Sequence, residues 1–228
     1  LQVCSGEIHA LVGENGAGAD VRGGVRRGDE GERRCHDVVI RADAGDDWAR
    51  RFDDEDDLSV WERLVGGLGQ LERLVDGDAR QQLHTRVAAL VGPERARLGP
   101  DPRPGDDDRT LSLRATLLEA AALLGGDGAA VDRSSELLDR FLADPRGGDP
   151  SLSAAALHVA ATLGDLALHE RLVAALRTTG NPQDRERIQS ALARFRDAAC
   201  LARTLELTLS PDVRTQDAAY LVRDTLTT

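Results

Sequence analysis

Apolar side chains recur at helical spacing over most of this chain, and residues 181–228 show the pattern most clearly. Asn181 stands before Pro182, a pair typical of a helix start. The asparagine oxygen accepts an amide hydrogen that the first turn leaves unbonded, and proline has no amide hydrogen to leave unbonded there. The apolar positions that share one helical face behind this pair are Ile188, Leu192 and Phe195. The stretch therefore begins with a predicted amphipathic helix.

A second predicted helix follows immediately. Asp197 is a capping residue, and Ser210-Pro211 ends the helical pattern. The apolar stripe between them consists of Leu201, Leu205 and Leu209. Two short helices joined by a tight turn form a hairpin that cannot bury its stripe alone, so this hairpin has to stack on a neighbour.

The cap positions repeat with a period of 32 residues. Asp149-Pro150 precedes Asn181-Pro182 by this interval, and Asp165 precedes Asp197 by the same interval. The period lies within the range of helical-hairpin repeats. Sequence identity between the two blocks is low, and the stripe of the second helix slips by one position. The predicted repeat therefore depends on caps and periodicity.

The same signals predict further helices upstream, after one turn or two at residues 46–52. Their starts are the capping box Ser59-x-x-Glu62, Asp78, Thr110, a position before Val131, Asp149 and Asp165. In the helix predicted to start at Ser59, three glycines favour a close contact with another helix, namely Gly66, Gly67 and Gly69. In the helix predicted to start at Asp78, Pro93 is expected to kink or end the helix. Residues 99–108 form a predicted polar loop. The main predicted core positions are Trp61, Leu64, Leu68, Leu71, Val75, Leu83, Val87, Leu90, Val91, Leu113, Leu117, Leu118, Ala121, Leu124, Val131, Leu137, Leu138, Phe141, Leu152, Ala156, Val159, Leu163, Leu168, Leu172 and Leu176.

The composition supports an all-α fold. Hydrophobic residues make up 41% of the chain but aromatic residues only 3%, so the core has to be built from Leu, Val and Ala, which suits closely packed helices. We expect residues 46–228 to form one domain, an α-solenoid of about four helical hairpins in a right-handed stack with no sheet. Residues 1–45 are expected to form an irregular or disordered segment.

Charge and cysteine content narrow the classes of partner. The net charge of −11 repels nucleic acid and anionic membranes, so neither is an expected partner. The three cysteines are far apart, which favours a reducing compartment, and Cys200 is interpreted as a core residue. No apolar run approaches the roughly 20 residues of a membrane span, and no signal-peptide pattern is present. The chain is therefore expected to be cytoplasmic, and its start at Leu1 suggests a fragment of a longer protein.

Residues 1–18 differ in kind from the rest. They contain a strand-like alternation around Ile8 and glycines at Gly13, Gly16 and Gly18, and they resemble the start of the ATP-binding subunit of sugar-type ABC transporters. In that family a lysine and a hydroxyl residue follow, whereas here the two positions are Ala19 and Asp20. Losing both residues removes the cation that would bind the phosphates and the hydroxyl that would bind magnesium. The segment is either a degenerate nucleotide loop or, as we prefer, a segment joined to an unrelated coding sequence.

Residues 46–228 resemble the C-terminal helical domain of zinc aminopeptidases of the aminopeptidase N type. The segments that carry the resemblance are DDWARRF, DLSVWERLVGGLGQLERLV, LLDRFLADP, NPQDRERIQSALARF and LARTLELTLSPDVRTQDAAYLV. The most specific matches are Asn181, Pro182, Glu186, Arg187, Ala191, Leu192, Arg194, Phe195, Asp197, Arg203, Thr204, Val213, Arg214, Gln216, Asp217, Ala218, Tyr220 and Leu221.

This resemblance implies a HEAT-like α-solenoid that curls over a catalytic domain and encloses its peptide chamber. It also implies that the zinc is bound elsewhere, by a His-Glu-x-x-His helix of the catalytic domain. We therefore predict no catalytic, cofactor-binding or metal-binding residue in this chain. Its expected partners are the catalytic domain of the parent aminopeptidase and the peptide substrate.

The candidate sites within the chain all have simpler interpretations. His169-Glu170 begins like the zinc motif, but Val173 replaces the second histidine, so a helix-surface histidine is the favoured interpretation. Gly13-Glu14-Asn15 only faintly resembles the substrate-amine motif of these aminopeptidases, and Cys35-His36 has no second pair at zinc-site spacing. The acidic runs 53–57 and 106–108 are interpreted as solvated loops next to helix starts. No glycine pattern of a nucleophile elbow frames any serine, so a hydrolase triad has no support.

Three functions remain open on the sequence alone. The leading hypothesis is the non-catalytic solenoid domain of a zinc aminopeptidase. The alternatives are a stand-alone helical-repeat scaffold that binds a protein partner and, with support only from residues 1–18, an ABC-type ATPase fragment.

Overall fold

The computed structural model describes residues 3–4, 7–9, 39–41, 52 and 55–227 of the chain. Its described helices are α1 (Leu58–Glu72), α2 (Gly77–Leu98), α3 (Asp108–Leu123), α4 (Gly128–Ala143), α5 (Pro150–Leu163), α6 (Leu166–Thr178), α7 (Pro182–Leu192), α8 (Ala198–Leu207) and α9 (Thr215–Thr227). The all-α fold class is confirmed for residues 55–227.

The predicted caps of the repeat are confirmed at all four positions. Asp149 accepts a hydrogen bond from the backbone N–H of Leu152 at 2.8 Å, and Asn181 accepts one from Gln183 at 3.0 Å. The other two caps are Asp165, which accepts from Leu168, and Asp197, which accepts from Ala199 and Cys200. Each cap satisfies amides that the first helical turn leaves unbonded, which is why these positions could be read from the sequence.

The helix boundaries in the first part of the chain were predicted less well. Helix α1 is capped by Asp57, which accepts from Ser59 N at 2.7 Å, so Ser59 lies inside the helix and the predicted capping box is wrong. Helix α3 likewise begins two residues before Thr110. Pro93 does not end α2, which continues to Leu98. The starts of α1 and α3 were misplaced because several acidic residues precede each of these two helices. Spacing alone does not select the residue that caps the helix.

The described residues divide into two compact units. The first extends to Asp101 and includes Leu124–Gly126, whereas the second contains Pro102–Leu123 and residues from Asp127 onward. This division differs from the single domain expected for residues 46–228.

The first unit contains the hairpin of α1 and α2. Trp61 is completely buried, and its indole N–H donates to the carbonyl of Glu55 at 2.8 Å. The predicted stripes are confirmed, since the other buried side chains include Leu64, Leu68, Leu71, Leu83, Val87, Leu90 and Val91. The close contact predicted at the glycines is wrong for Gly66 and Gly69, because a Cβ atom at either position would meet nothing within 4 Å.

The second unit contains helices that contact each other alternately along the chain. Helix α5 contacts both α3 and α7, α7 also contacts α9, and α6 contacts α8. A continuous core lies between these helices, with Leu157, Leu172, Leu176, Ile188, Leu192 and Phe195 almost completely buried. Helices two apart in the chain therefore pack together in this unit, in addition to neighbouring helices.

The core face of α8 differs from the prediction. Leu209 is 90% exposed and Leu201 only partly buried, whereas the buried side chains of this helix are Cys200, Thr204 and Leu207. The buried residues of α6 are His169, Leu172 and Leu176, so Thr204 lies 32 positions after Leu172, whereas Cys200 and Leu207 lie 31 positions after His169 and Leu176. The leucine stripe misled the prediction because a threonine fills a core position where its hydroxyl finds a partner. Leu163, at the end of α5, is also exposed rather than buried.

The structure also contains a small antiparallel sheet in the N-terminal segment. Its strands β1 (Val3–Cys4), β2 (Glu7–His9) and β3 (Val39–Arg41) lie in that order, with Val3 opposite Ile8 and Ile8 opposite Ile40. These eight residues differ from the irregular structure expected of residues 1–45. A strand at Ile8 does agree with the alternation seen in the sequence. The predictions for Gly13–Gly18, Ala19, Asp20 and Cys35-His36 concern residues outside those that the structure describes.

Candidate functional surfaces of the second unit

His169 is a buried core residue, so its interpretation as a helix-surface histidine is wrong. His169 is only 2% exposed, and its imidazole ring packs edge-on against the Phe195 ring at a centroid distance of 5.2 Å. The Nε2 atom of His169 lies 3.0 Å from Oγ1 of Thr204. The Thr204 hydroxyl donates to the carbonyl oxygen of Leu192 at 3.1 Å. Because that hydroxyl has a single hydrogen, His169 Nε2 is the donor of the pair.

Burial lowers the pKa of His169 below its ordinary value, and the nearby Arg203 lowers it further, against the opposing effect of Glu170. The imidazole is thus held neutral by its surroundings. In the part of the chain that the structure describes, no three His, Cys, Asp or Glu side chains group to hold a metal ion. His169 therefore serves the packing of α6 against α8 and the turn after α7.

Replacing Thr204 by valine tests this polar contact. The change keeps the side-chain shape but leaves the Nε2–H of His169 without its acceptor and Leu192 without its hydroxyl donor. We expect a loss of about 1–3 kcal/mol in the free energy of unfolding. Urea unfolding of the purified variant measures this loss. Thr178→Val is the matched control, since Thr178 is exposed and its hydroxyl bonds only to carbonyls of its own helix; an equal loss in both variants would contradict the assignment.

The lowered pKa of His169 also makes stability depend on pH. Its unfolded pKa is about 6.5, so the unfolded chain binds a proton below that pH while the folded chain resists it. The stability contribution is complete above about pH 6.5 and falls as the pH drops from there toward the folded pKa. Unfolding free energies of the wild type and His169→Gln, compared at about pH 7.5 and about pH 5.5, should show the steeper fall in the wild type. Equal pH slopes would contradict this.

The loop between α8 and α9 is held by two arginines. Arg185 in α7 donates to the backbone carbonyls of Leu176 and Asp212, and Arg177 in α6 pairs with the Asp212 carboxylate at 2.8 Å. Leu176 lies in the last turn of α6, where carbonyls have no partner within the helix. Arg185 therefore connects the end of α6 to the loop that leads into α9.

A groove with a volume of about 480 Å³ lies along α7 and α9. Family-like residues identified in the sequence meet there, because Glu186 of α7 and Arg214, Asp217, Tyr220 and Leu221 at the start of α9 all line it. Tyr220 is 61% exposed, and the Arg223 guanidinium lies 5.3 Å from the centre of its ring. The structure thus brings together residues that are up to 35 positions apart in the sequence.

The other family-like residues have structural positions. Asn181 and Asp197 are caps, whereas Leu192, Phe195 and Val213 are buried. Arg203 forms a 2.6 Å ion pair with Glu170 across α8 and α6, but both side chains are about half exposed or more, so the pair contributes little to stability.

Three polar side chains from successive stacked helices line up beside this groove. Ser190 Oγ of α7 lies 3.0 Å from Nε2 of His158 in α5, and His158 Nδ1 lies 3.5 Å from a carboxylate oxygen of Glu119 in α3. No glycine pattern of a nucleophile elbow frames Ser190, so this row was not predicted from the sequence. A different signal was present: His158 and Ser190 are 32 residues apart and so occupy the same position in the repeat.

In the acidic run 106–108, Asp106 and Asp107 lie in the loop before α3, as predicted, whereas Asp108 is the first residue of that helix. A hydrogen bond from the backbone N–H of Arg103 holds the pKa of Asp106 below its ordinary value, and Arg114 adds to this effect. Arg114 is a buried residue of α3 whose Nη2 lies 2.7 Å from Asp106. In the run 53–57, Asp57 caps α1, and residues 53 and 54 lie outside the described part. Among the described helices, none is long and apolar enough to cross a membrane.

Comparison with known proteins finds two similar aminopeptidases. The chain is 28% identical over 180 residues to Aminopeptidase M1-A of Oryza sativa subsp. japonica, which covers 75% of this chain and 20% of that protein. It is 33% identical over 156 residues to Aminopeptidase M1 of Arabidopsis thaliana, which covers 64% of this chain and 18% of that protein. The chain thus spans about a fifth of the length of these relatives.

The helical part of the chain also matches a known protein family. The match covers residues 46–227, which include all nine described helices, and it gives no support to the ABC transporter resemblance of residues 1–18. This chain belongs to the family of ERAP1-like C-terminal domains.

Proposed function

We propose that this chain is the C-terminal domain of a zinc aminopeptidase, that it takes no part in the chemistry of peptide hydrolysis, and that it encloses the peptide chamber of the catalytic domain. The observation that carries the proposal is the family match over residues 46–227, together with the family-like residues that meet along α7 and α9. In this proposal the zinc belongs to the catalytic domain, and the chain contributes a wall made of HEAT-like hairpins in an α-solenoid.

The packing of the second unit supports a role as a wall. Alternate helices contact each other in succession, so the unit offers a long surface built from regularly spaced helix faces. The surface around the groove carries both signs of charge, with Arg214 beside Asp217 and Arg223 paired with Asp224. Such a mixed surface suits contact with peptides of varied sequence better than with a uniformly charged polymer. The buried free thiol of Cys200 is consistent with a reducing, cytoplasmic setting.

The purified chain alone should show no zinc-dependent aminopeptidase turnover, because a catalytic zinc needs about three protein ligands and an open position. Added to a catalytic domain of the Arabidopsis relative that lacks its own C-terminal part, the chain should change the hydrolysis of long peptides much more than that of a single aminoacyl substrate. The physical reason is that only a long peptide reaches the chamber wall. Turnover by the chain itself, or equal effects on both substrates, would contradict the proposal.

Reading the coding sequence on either side provides an independent test. An aminopeptidase has to supply an upstream His-Glu-x-x-His helix in the same reading frame. An ABC transporter has to supply the rest of a nucleotide domain after residue 18, and it requires tight ATP binding, which Ala19 and Asp20 disfavour.

The second candidate is a helical-repeat scaffold that binds a protein partner without any catalytic domain. Exposed apolar side chains at Leu209, Tyr220 and Leu226 favour it, because they offer apolar contact area near α8 and α9. A scaffold predicts no zinc helix in the flanking sequence and no effect on any aminopeptidase.

A further inference from the structure

Ser190, His158 and Glu119 have the arrangement of a nucleophile, a base and a group that orients the base. The Ser190 Oγ to His158 Nε2 distance of 3.0 Å is that of a hydrogen bond. On the far side of the imidazole, His158 Nδ1 lies 3.5 Å from Glu119 Oε2.

The carboxylate selects the imidazole tautomer. With its hydrogen on Nδ1, facing Glu119, the His158 ring leaves a lone pair on Nε2 for the Ser190 hydroxyl. The His158 side chain is 18% exposed and that of Glu119 29% exposed, so both are restrained by packing yet reachable by water. Helices α3, α5 and α7 contact in succession and hold the three side chains in a row. The hydrogen bond between Ser190 and His158 meets the first geometric requirement of an activated serine, and the 3.5 Å contact places the Glu119 carboxylate on the far side of the imidazole.

Ser190 also lines the groove along α7 and α9, so a ligand in that groove can reach it. The volume of about 480 Å³ suits a small molecule, and Pro182, Tyr220 and Leu221 supply apolar lining. Gln189 lines the same groove, is 9% exposed, and has a buried amide Nε2 without an acceptor among the described residues. An unsatisfied donor in the lining favours a ligand with an acceptor oxygen, as an ester carbonyl has.

We propose that Ser190 is a nucleophile that accepts acyl groups from small carboxylic esters without a metal ion, with His158 as its general base and Glu119 as a positioning residue. Ser190 Oγ bonds to the ester carbonyl carbon while its proton moves to His158 Nε2. The tetrahedral oxyanion then collapses, the bond to the alcohol oxygen breaks, and that oxygen takes the proton from His158. Water attacks the acyl-serine with His158 again as base, which releases the carboxylic acid and returns the proton to Ser190.

The test uses the full chain in the presence of a metal chelator. Incubation with p-nitrophenyl acetate should release p-nitrophenol, and a fluorophosphonate probe should label the chain with loss of fluoride. Peptide mass spectrometry should place both the acetyl and the phosphonyl group on Ser190. The chain has no lysine, so acetylation of lysine amines cannot obscure the result.

Matched variants separate the roles. Ser190→Ala should abolish labelling, whereas Ser135→Ala, which removes another helical serine, should keep it. His158→Gln should slow acylation by about 10²-fold or more. Glu119→Gln should lower kcat with little change in KM, and Glu119→Asp should restore part of the rate. Far-ultraviolet circular dichroism and the Tm of each variant confirm folding.

Absence of any label on the wild type would overturn the proposal. Labelling that persists in a folded Ser190→Ala variant, or that maps to another residue, would also overturn it. The outcome is independent of the proposed chamber role, since aminopeptidase assays and ester labelling measure different reactions at different groups.

Discussion

Replacement of Phe195 by alanine should destabilise the second unit by about 3–5 kcal/mol, the usual cost of removing a fully buried aromatic side chain. Phe195 is completely buried in the turn between α7 and α8, and its ring contacts the edge of the His169 ring. The core of this unit contains few other aromatic side chains, so its leucines and alanines can fill the cavity only in part. Urea unfolding followed by circular dichroism measures the loss.

Leu209→Ala is the control for this prediction. Leu209 lies close to Phe195 in sequence but is 90% exposed, so its loss should change stability by no more than about 0.5 kcal/mol. Similar losses for the two variants would show that the ring of Phe195 does not fill the core as described. A second readout is the pKa of His169, which should move toward its ordinary value in Phe195→Ala as water reaches the imidazole.

Replacement of Arg185 by alanine should cost about 2–3 kcal/mol and should loosen α9 selectively. The guanidinium donates charged hydrogen bonds to the carbonyls of Leu176 and Asp212, and hydrogen bonds from charged groups contribute more than neutral ones. Without these two hydrogen bonds, the loop before α9 keeps the ion pair between Arg177 and Asp212. This pair is exposed and therefore weaker. Hydrogen exchange should therefore accelerate in Thr215–Thr227 more than in α5 or α6.

Arg194→Ala provides the matched control, since Arg194 is an exposed arginine in the turn after α7. The Arg194→Ala variant should leave the free energy of unfolding and the rate of hydrogen exchange in α9 unchanged. Arg185→Lys should recover only part of the loss, because an ammonium group lacks the planar fork that reaches two carbonyls at once. Uniform acceleration of exchange across all helices in Arg185→Ala would contradict a local role.

The caps show why much of the fold could be predicted. A cap is a local feature, in which Asp149, Asp165, Asn181 or Asp197 bonds to amides two or three residues away, so its chemistry is visible in a short window of sequence. The leucine stripes of α1, α2, α5 and α6 are visible for a similar reason, since helical periodicity selects one face. Gly66 shows the limit, because what a glycine faces depends on distant helices.

The candidate sites could be predicted only in part. The family-like residues of α7 and α9 were identified from their spacing, but their meeting along one groove depends on how the two helices pack. The alignment of Glu119, His158 and Ser190 arises from three helices in contact; the repeat accounts for the 32-residue spacing of His158 and Ser190, but no local motif joins all three residues. Side-chain chemistry that spans helices is therefore decided by packing.

By itself, the sequence determined the helical class, the 32-residue period and the absence of a two-histidine zinc motif at His169, because caps, periodicity and motif spacing are local properties. Only the tertiary structure decided which face of α8 is buried. Leu201, Leu205 and Leu209 are the more apolar set, but packing against α6 and the turn after α7 buries Cys200, Thr204 and Leu207. The hydroxyl of Thr204 is satisfied there by Leu192 and His169, which removes the cost of burying a polar group, and no property of the helix alone reveals those partners.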